Sequence, residues 1–391
     1  MNQPLGFYEF FAGGGMARAG LGSGWQCLFA NDFSEMKAAT YKANWGDEYF
    51  VLGDVQQVST KQLPGRADLA WASFPCQDLS LAGSYRGLGD PSAEIATRSG
   101  TFWPFWHLMR ELRVQGRNPR TIVLENVTGT LSSRNGKDFE LLCEALSQAG
   151  YRYGPVIIDA KHFVPQSRQR LFLIAVAGDV EISPHLIRSE PDSLWSSAAL
   201  LAAWKKLEGK ARDRWFWWSL SQPPKRNTRF ADIIEEQPTQ CHWHTEEETA
   251  QLLSMMTSLH LSKVERAQTS KQRKVGGIYK RTRLDSDGKK RQRAEVRFDD
   301  VAGCLRTPAG GSSRQTIMVV DGTRIRTRLL SPREAARLMG LEDTFKLPER
   351  YNDGYHVAGD GVCVSVVRYI ASQLLEPILT SAERQCEALA A

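Results

Sequence analysis

The chain has 391 residues, 42% of them hydrophobic and 24% charged, at a net charge of +6; this is the composition of a globular protein with a sizeable core rather than a disordered or fibrous one. No run approaches the ~18 apolar residues of a membrane span, and seven scattered cysteines, at 27, 76, 143, 241, 304, 363 and 386, with no C-x-x-C pair, exclude zinc-ribbon and dithiol chemistry. The charge is uneven: residues 263–297 hold 13 Lys/Arg against 4 Asp/Glu, whereas residues 1–178 hold 17 against 16, so the basic segment is expected to meet a polyanion, nucleic acid first.

Up to about residue 178 the chain alternates two patterns. "FYEFFAG" (7–13), "WQCLFAND" (25–32), "YFVLGD" (49–54), "DLAWASF" (68–74), "TIVLENV" (121–127) and "RLFLIAVA" (170–177) read as strands. "SEMKAATYKANW" (34–45), "TFWPFWHLMREL" (101–112) and "KDFELLCEALSQAG" (137–150) read as helices. Strands alternating with such helices predict βαβ units and a mostly parallel, doubly wound α/β sheet, which places ligands at the carboxyl ends of its strands.

The candidate residues fall at those ends. "EFFAGGGMARAGL" (9–21) is a strand, a glycine turn and a helix start, but it lacks the G-x-G-x-x-G dinucleotide spacing. Asp32 ends the second strand and Asp54 the third, where carboxylates accept from ribose hydroxyls or an amino group. A glycine turn without the pyrophosphate pattern, plus two acids, suits a nucleoside cofactor without phosphates, such as S-adenosyl-L-methionine. Cys76 follows "DLAWASF" and opens the loop "DLSLAGSYRGLGD". A lone cysteine is most often a small buried apolar residue, but a thiolate at a strand end is also a nucleophile placed for a large substrate. Glu125 ends the neighbouring strand behind four apolar residues, and desolvation there is expected to raise its pKa. Gln166, Arg168 and Arg170 alternate into the next strand and are expected to share one face.

Beyond residue 178 the βαβ period is lost, and 179–325 reads as a second, irregular domain. Its "WFWWS" (215–219) reads as core packing of that smaller domain. "SPREAARLMG" (331–340) has a serine N-cap, proline at the first helical position and a glycine stop, and "VCVSVVRYIASQLLEPIL" (362–379) reads as an apolar final helix. The N-terminus has no basic n-region and only a short apolar stretch, which predicts a protein without a secretory signal, in the cytoplasm.

Together "FAGGG", Asp32, "GDV", "FPCQ", "LENV", "QSRQR", "LSPREAARLMG" and the terminal "GDGV" resemble the cytosine-5 DNA methyltransferases, in the family's order, over residues ~7–177 and ~301–375. The resemblance implies a Rossmann-like S-adenosylmethionine methyltransferase fold: a catalytic and cofactor-binding domain at 1–178, a target-recognition domain at 179–345, and a C-terminal segment, 346–391, packing back on the first. It implies that Cys76 attacks C6 of a flipped-out cytosine, with Glu125, Arg168, Arg170 and Gln77 in the catalytic set and the loop 78–90 as a lid. It implies a cofactor site of Phe11, Gly13, Gly15, Asp32, Phe33, Asp54, Pro75, Asp360 and Val362. Ser80, Gln166, Arg306, Gly310, Gly311 and Arg314 would contact double-stranded DNA, and no metal is expected. A restriction-modification setting is implied, with any cognate endonuclease acting separately. Two departures stand out: Asp360 occupies the place of the family's usual Asn, and "PSAEIAT" (91–97) lengthens the lid. The alternatives are the same fold acting on RNA such as a tRNA, and a non-catalytic DNA-binding relative.

Overall fold

Strands buried on both faces need apolar side chains at both parities, and must be covered by helices on both sides. Seven segments meet that condition: Leu5–Phe10 (β1), Trp25–Asp32 (β2), Phe50–Leu52 (β3), Leu69–Ala72 (β4), Thr121–Val127 (β5), Tyr151–Asp159 (β6) and Gln169–Ala177 (β7). In the computed structural model, which describes residues 3–75, 88, 99–270, 272–284, 288–307 and 314–380, they form one sheet in the order β3-β2-β1-β4-β5-β7-β6. Strands β1 to β5 pair in parallel; β7 runs antiparallel to both β5 and β6. Helices Met16–Leu21 (α1), Glu35–Trp45 (α2), Phe102–Val114 (α3) and Lys137–Gln148 (α4) link the strands. The expected doubly wound sheet is thus present. Its order reverses between β1 and β4, which opens a crevice at their carboxyl ends.

The chain divides into two compact units, one of residues 1–159, 169–223 and 361–391, the other of 160–168 and 224–360. The dividing points therefore differ from the expected 178/179 and 345/346. Residues 179–223 stay with the parallel sheet because they clothe its edge strand. The Tyr153 N–H donates to the Arg214 carbonyl (3.0 Å) and the Phe216 N–H returns the bond to the Tyr153 carbonyl (3.0 Å). Trp218 Nε1 donates to the Gly154 carbonyl at 2.7 Å, and the Trp215 ring meets Tyr153 at 5.9 Å. The "WFWWS" stretch is core packing, as expected, but of the larger unit. A two-stranded ribbon, Ile187–Arg188 (β8) with Trp217–Trp218 (β9), and helices Ala198–Lys206 (α5) and Gly209–Asp213 (α6) complete this region.

The second unit is regular, not irregular as expected. Lys274–Leu284 (β10), Lys290–Arg297 (β11), Thr316–Asp321 (β12) and Arg324–Leu329 (β13) form an antiparallel sheet in the order β11-β10-β12-β13. Helices Glu246–Ser254 (α7) and Ser258–Gln268 (α8), with Met256 between them, bring Leu252, Met256, Val264 and Ala267 onto Ile278, Ala294, Val296, Met318 and Val320. Pro332–Leu338 (α9) starts as the sequence predicted, with Ser331 capping and Glu334 closing a capping box. Glu334 also takes a two-pronged bond from Arg328, at 2.5 and 2.7 Å, with both side chains fully buried.

Tyr351–Asp360 (α10) ends the second unit, and Val364–Ile370 (α11) returns to the first. There Val364 and Val367 pack so closely on Gly20 of α1 that a Cβ added to Gly20 would lie 2.4 Å from Val367. The stretch Tyr351–Thr380 is long and apolar enough to cross a membrane by length and composition, although Ser, Arg, Gln and Glu interrupt its apolar residues; 61% of its most apolar window is buried, as in a core helix.

Candidate active site at the carboxyl edge of the parallel sheet

The crevice begins where β1 ends. Phe11, Gly13 and Gly15 all have left-handed backbone, at φ 57°, 57° and 80°, which turns the chain sharply before α1. Phe11 takes this conformation without a glycine's freedom. Gly15 is required by packing, since a Cβ there would lie 2.4 Å from Trp45 Nε1 and 2.9 Å from the Tyr41 ring. Gly13 has only the Lys37 chain nearby, at 4.0 Å, so its open side is the one available to a ligand.

The turn is locked to β2 by Asp32, whose carboxylate is 6% exposed. Its Oδ2 accepts the Gly13 N–H at 2.8 Å and its Oδ1 the Ser34 N–H at 2.9 Å. Each oxygen has a lone pair left for a ribose hydroxyl. Beside it Phe33 is 72% exposed and Leu52, closing β3, 45% exposed, a large apolar face next to an acid. Asp54 is exposed and uses Oδ1 to cap the Gln56 N–H at 2.9 Å, leaving Oδ2 for a ligand. Buried acceptors, a bare aromatic ring and an open glycine fit a nucleoside with free hydroxyls.

Sequence reasoning passed over Glu9. It lies within β1, 1% exposed, and burial pushes its carboxyl up to about 8. Oε1 accepts the Arg18 N–H at 3.4 Å, while Oε2 has no hydrogen-bond partner among the described residues. A single acid inside the apolar "FYEFF" was the available signal.

Two strands away, β4 delivers the other half of the crevice. The described chain runs through Phe74 and Pro75; Cys76, Gln77 and Ser80 lie outside the described residues, as does most of the loop 78–90. Phe74 is buried against Phe102, with ring centroids 5.5 Å apart. Its carbonyl accepts from Asn126 Nδ2 at 3.1 Å, and Asn126 Oδ1 accepts the Val127 N–H at 2.8 Å. The Asn of "LENV" thus fastens the end of β5 to the residue two places before the cysteine. Next to it, Glu125 is 7% exposed, with Arg170 Nε 3.3 Å from its Oε1. Glu125 faces Phe172 across the β5–β7 ladder, so Arg170, two residues along, shares its face of the sheet. The apolar surroundings expected of Glu125 therefore include a guanidinium.

Gln166, Arg168 and Arg170 do not share a strand face, because β7 starts at Gln169. Arg170 belongs to the first unit, Gln166 and Arg168 to the second. Gln166 is fully buried; its Nε2 donates to the Leu338 carbonyl at 2.8 Å and its Oε1 accepts the Leu305 N–H at 3.2 Å. It braces the segment that leads to "RTPAGG". Arg168 is 4% exposed and its Nη1 points a hydrogen bond at Cys304 Sγ, 3.5 Å away. Arg306 is exposed, Arg314 lies over the Tyr351 ring at 5.3 Å, and Gly310 and Gly311 fall outside the described residues. Asp360 closes α10 with His356 Nδ1 3.8 Å from its carboxylate, and Val362 is buried in the first unit. Among the described residues no three His, Cys, Asp or Glu side chains are grouped to hold a metal.

The model of the family described as C-5 cytosine-specific DNA methylase matches residues 5–376. The Type II methyltransferase M.HhaI of Haemophilus parahaemolyticus is 25% identical over 371 residues, 94% of this chain and 93% of that one. The Type II methyltransferase M.HpaII of Haemophilus parainfluenzae is 24% identical over 398 residues, 97% of this chain and 91% of that one. Among solved structures, the Entamoeba histolytica methyltransferase EhMeth superposes at a TM-score of 0.60 with 14% identity, covering 96% of this chain and 99% of the other; at that identity the likeness shows the fold alone.

Proposed function

The chain belongs to the C-5 cytosine-specific DNA methylase family, and from that premise we propose which of its residues carry the reaction. It is a DNA cytosine-5 methyltransferase. Cys76 adds as thiolate to C6 of the target cytosine, and the C5=C6 electron pair moves to C5 while Glu125 holds a proton on N3. S-adenosyl-L-methionine, when bound, supplies an electrophilic methyl group that this C5 electron pair takes. A base then removes the C5 proton, the pair returns to re-form C5=C6, and the cysteine leaves as thiolate, so the enzyme is restored.

The rest of the site serves that sequence. Arg170, 3.3 Å from Glu125, sets the carboxyl in position, and Arg168 is assigned to the base. Asp32 takes the ribose hydroxyls, Asp54 the adenine amino group, and Phe33 the face of the adenine ring. A cytosine stacked in a duplex offers neither face to a thiolate, so it is flipped out at a cost of a few kcal/mol. The second unit reads the target. We place the enzyme in the cytoplasm, protecting DNA against an endonuclease that acts separately.

The observation that carries this reading is the junction of β4 and β5. There Glu125 is buried against Arg170, and its neighbour Asn126 holds the Phe74 carbonyl two residues before the thiol. Incubation with methyl-labelled cofactor and either duplex DNA or tRNA tests it. Label in DNA, with covalent trapping on DNA carrying 5-fluorocytosine, is the expected result; label confined to tRNA overturns it.

A further inference from the structure

The two strands of the β10–β11 hairpin are rich in Lys and Arg, while Asp285 and Asp287 stand in the sequence between them. The strands hold eight Lys/Arg against one Glu. Near its base, the side bearing Ile278, Ala294 and Val296 packs into the core of the second unit. The register pairs Arg281 with Arg293 and Arg283 with Arg291, and alternation sets all four on the face opposite that core side. Like charges directly across a ladder destabilise it, so two arginine–arginine pairs in succession are an uncommon choice for a strand ladder. Glu295 lies on the same face and takes both Arg281 (3.6 Å) and Arg283 (2.7 Å). One carboxylate thus aligns the Arg281 and Arg283 guanidiniums side by side on this face. Beyond Tyr279, β10 is exposed on both sides, as is β11 from Lys290 to Gln292.

We propose that this ribbon enters the major groove of duplex DNA and that Arg281, Arg283, Arg291 and Arg293 read guanines there. The inference rests on the enzyme's acting on DNA. Two strands about 4.8 Å apart, with their side chains, fit a groove about 12 Å wide that is known to admit a β-ribbon. Arginines two residues apart on one strand stand about 6.8 Å apart, which matches two base-pair steps of about 3.4 Å. The guanidinium fork suits guanine O6 and N7. An RNA duplex is disfavoured as the occupant, because its major groove is too deep and narrow for side chains to read. Lys280 and Lys290, on the opposite face, are left to the phosphates.

The test begins with the wild-type target, defined by bisulfite sequencing of methylated genomic DNA, which is expected to contain a G·C pair besides the methylated one. R281A, R283A, R291A and R293A are then compared with K280A and K290A, all six being checked for an unchanged thermal melt. The arginine variants are expected to lower kcat/KM on the target about 10- to 100-fold each while relaxing one position of the site. The lysine variants are expected to weaken binding to every sequence alike and to flatten its salt dependence. Arginine variants that keep the site and its kcat/KM, or that lose binding uniformly on all sequences, overturn the inference. So does a target whose remaining pairs are all A·T. If the wild type transfers no methyl group to DNA, the premise itself has failed, which is a separate result from an unchanged ribbon variant on a methylated site.

Discussion

The two units solve opposite problems with β-structure. The parallel sheet is buried on both faces, so its strands can present chemistry only where they stop. Asp32 and the Phe74–Pro75 corner lie at strand ends, and Glu125 two residues before the end of β5. The antiparallel sheet of the second unit buries one end of its longest hairpin and leaves the other in solvent. There function is spread along the strand, one residue in two. A site at an edge suits a reaction on a single atom; a ribbon suits reading a polymer.

Four substitutions break or sharpen that contrast. The largest effect is expected at the edge: Cys76→Ser should cut methyl transfer roughly a thousandfold or more while cofactor binding, measured by calorimetry, persists; substantial turnover in the variant removes the nucleophile from Cys76. Next, Arg328→Ala strands the buried Glu334 carboxylate and should cost about 3–5 kcal/mol in urea unfolding. Its effect belongs to the second unit, so a variant that unfolds like the wild type would show that the pair does not hold that unit together. Asp32→Ala should weaken cofactor binding by about 1–3 kcal/mol, the scale of leaving buried N–H groups at Gly13 and Ser34 unmatched; unchanged affinity counts against the ribose role.

The smallest effect, and the most dependent on conditions, is at Glu9. Its folded carboxyl keeps its proton to about pH 8, against 4.5 for the ordinary side chain. Between those values the folded state holds the extra proton, so stability falls as pH rises across the window. Glu9→Gln should therefore be near neutral at pH 4.5 and stabilising on the order of 1–3 kcal/mol by pH 8. A stability difference that stays flat with pH would show that the carboxyl is not held protonated.

The parallel sheet was legible because its strands are continuous apolar runs, and the candidate site was sought at strand ends because isolated polar residues fall there. β6 escaped notice. Its "YRYGPVIID" contains Gly154 and Pro155, which argue against a central strand. It is an edge strand of the seven-stranded sheet, so the N–H that Pro155 lacks is missing from no sheet ladder but the one β6 makes with β7. The β10–β11 hairpin escaped for a different reason: with both faces wet over its outer half, it has no apolar period to detect. Nor could alternation place Gln166 and Arg168, since the period of two applies only once the strand has begun at Gln169. Glu9 was read as part of a strand, and that it sits protonated depends on walls contributed from outside its own segment.

The clasp between the two extremes of the first unit sets an order of events. Trp25 Nε1 donates to Glu376 at 3.0 Å across 351 positions of sequence, and Arg368 reaches the Leu21 carbonyl nearby. A ribosome releases Glu376 long after Trp25, so a half-made chain lacks the cover that Val364 and Val367 give α1. The first unit therefore closes only after the residues around 376 have joined it.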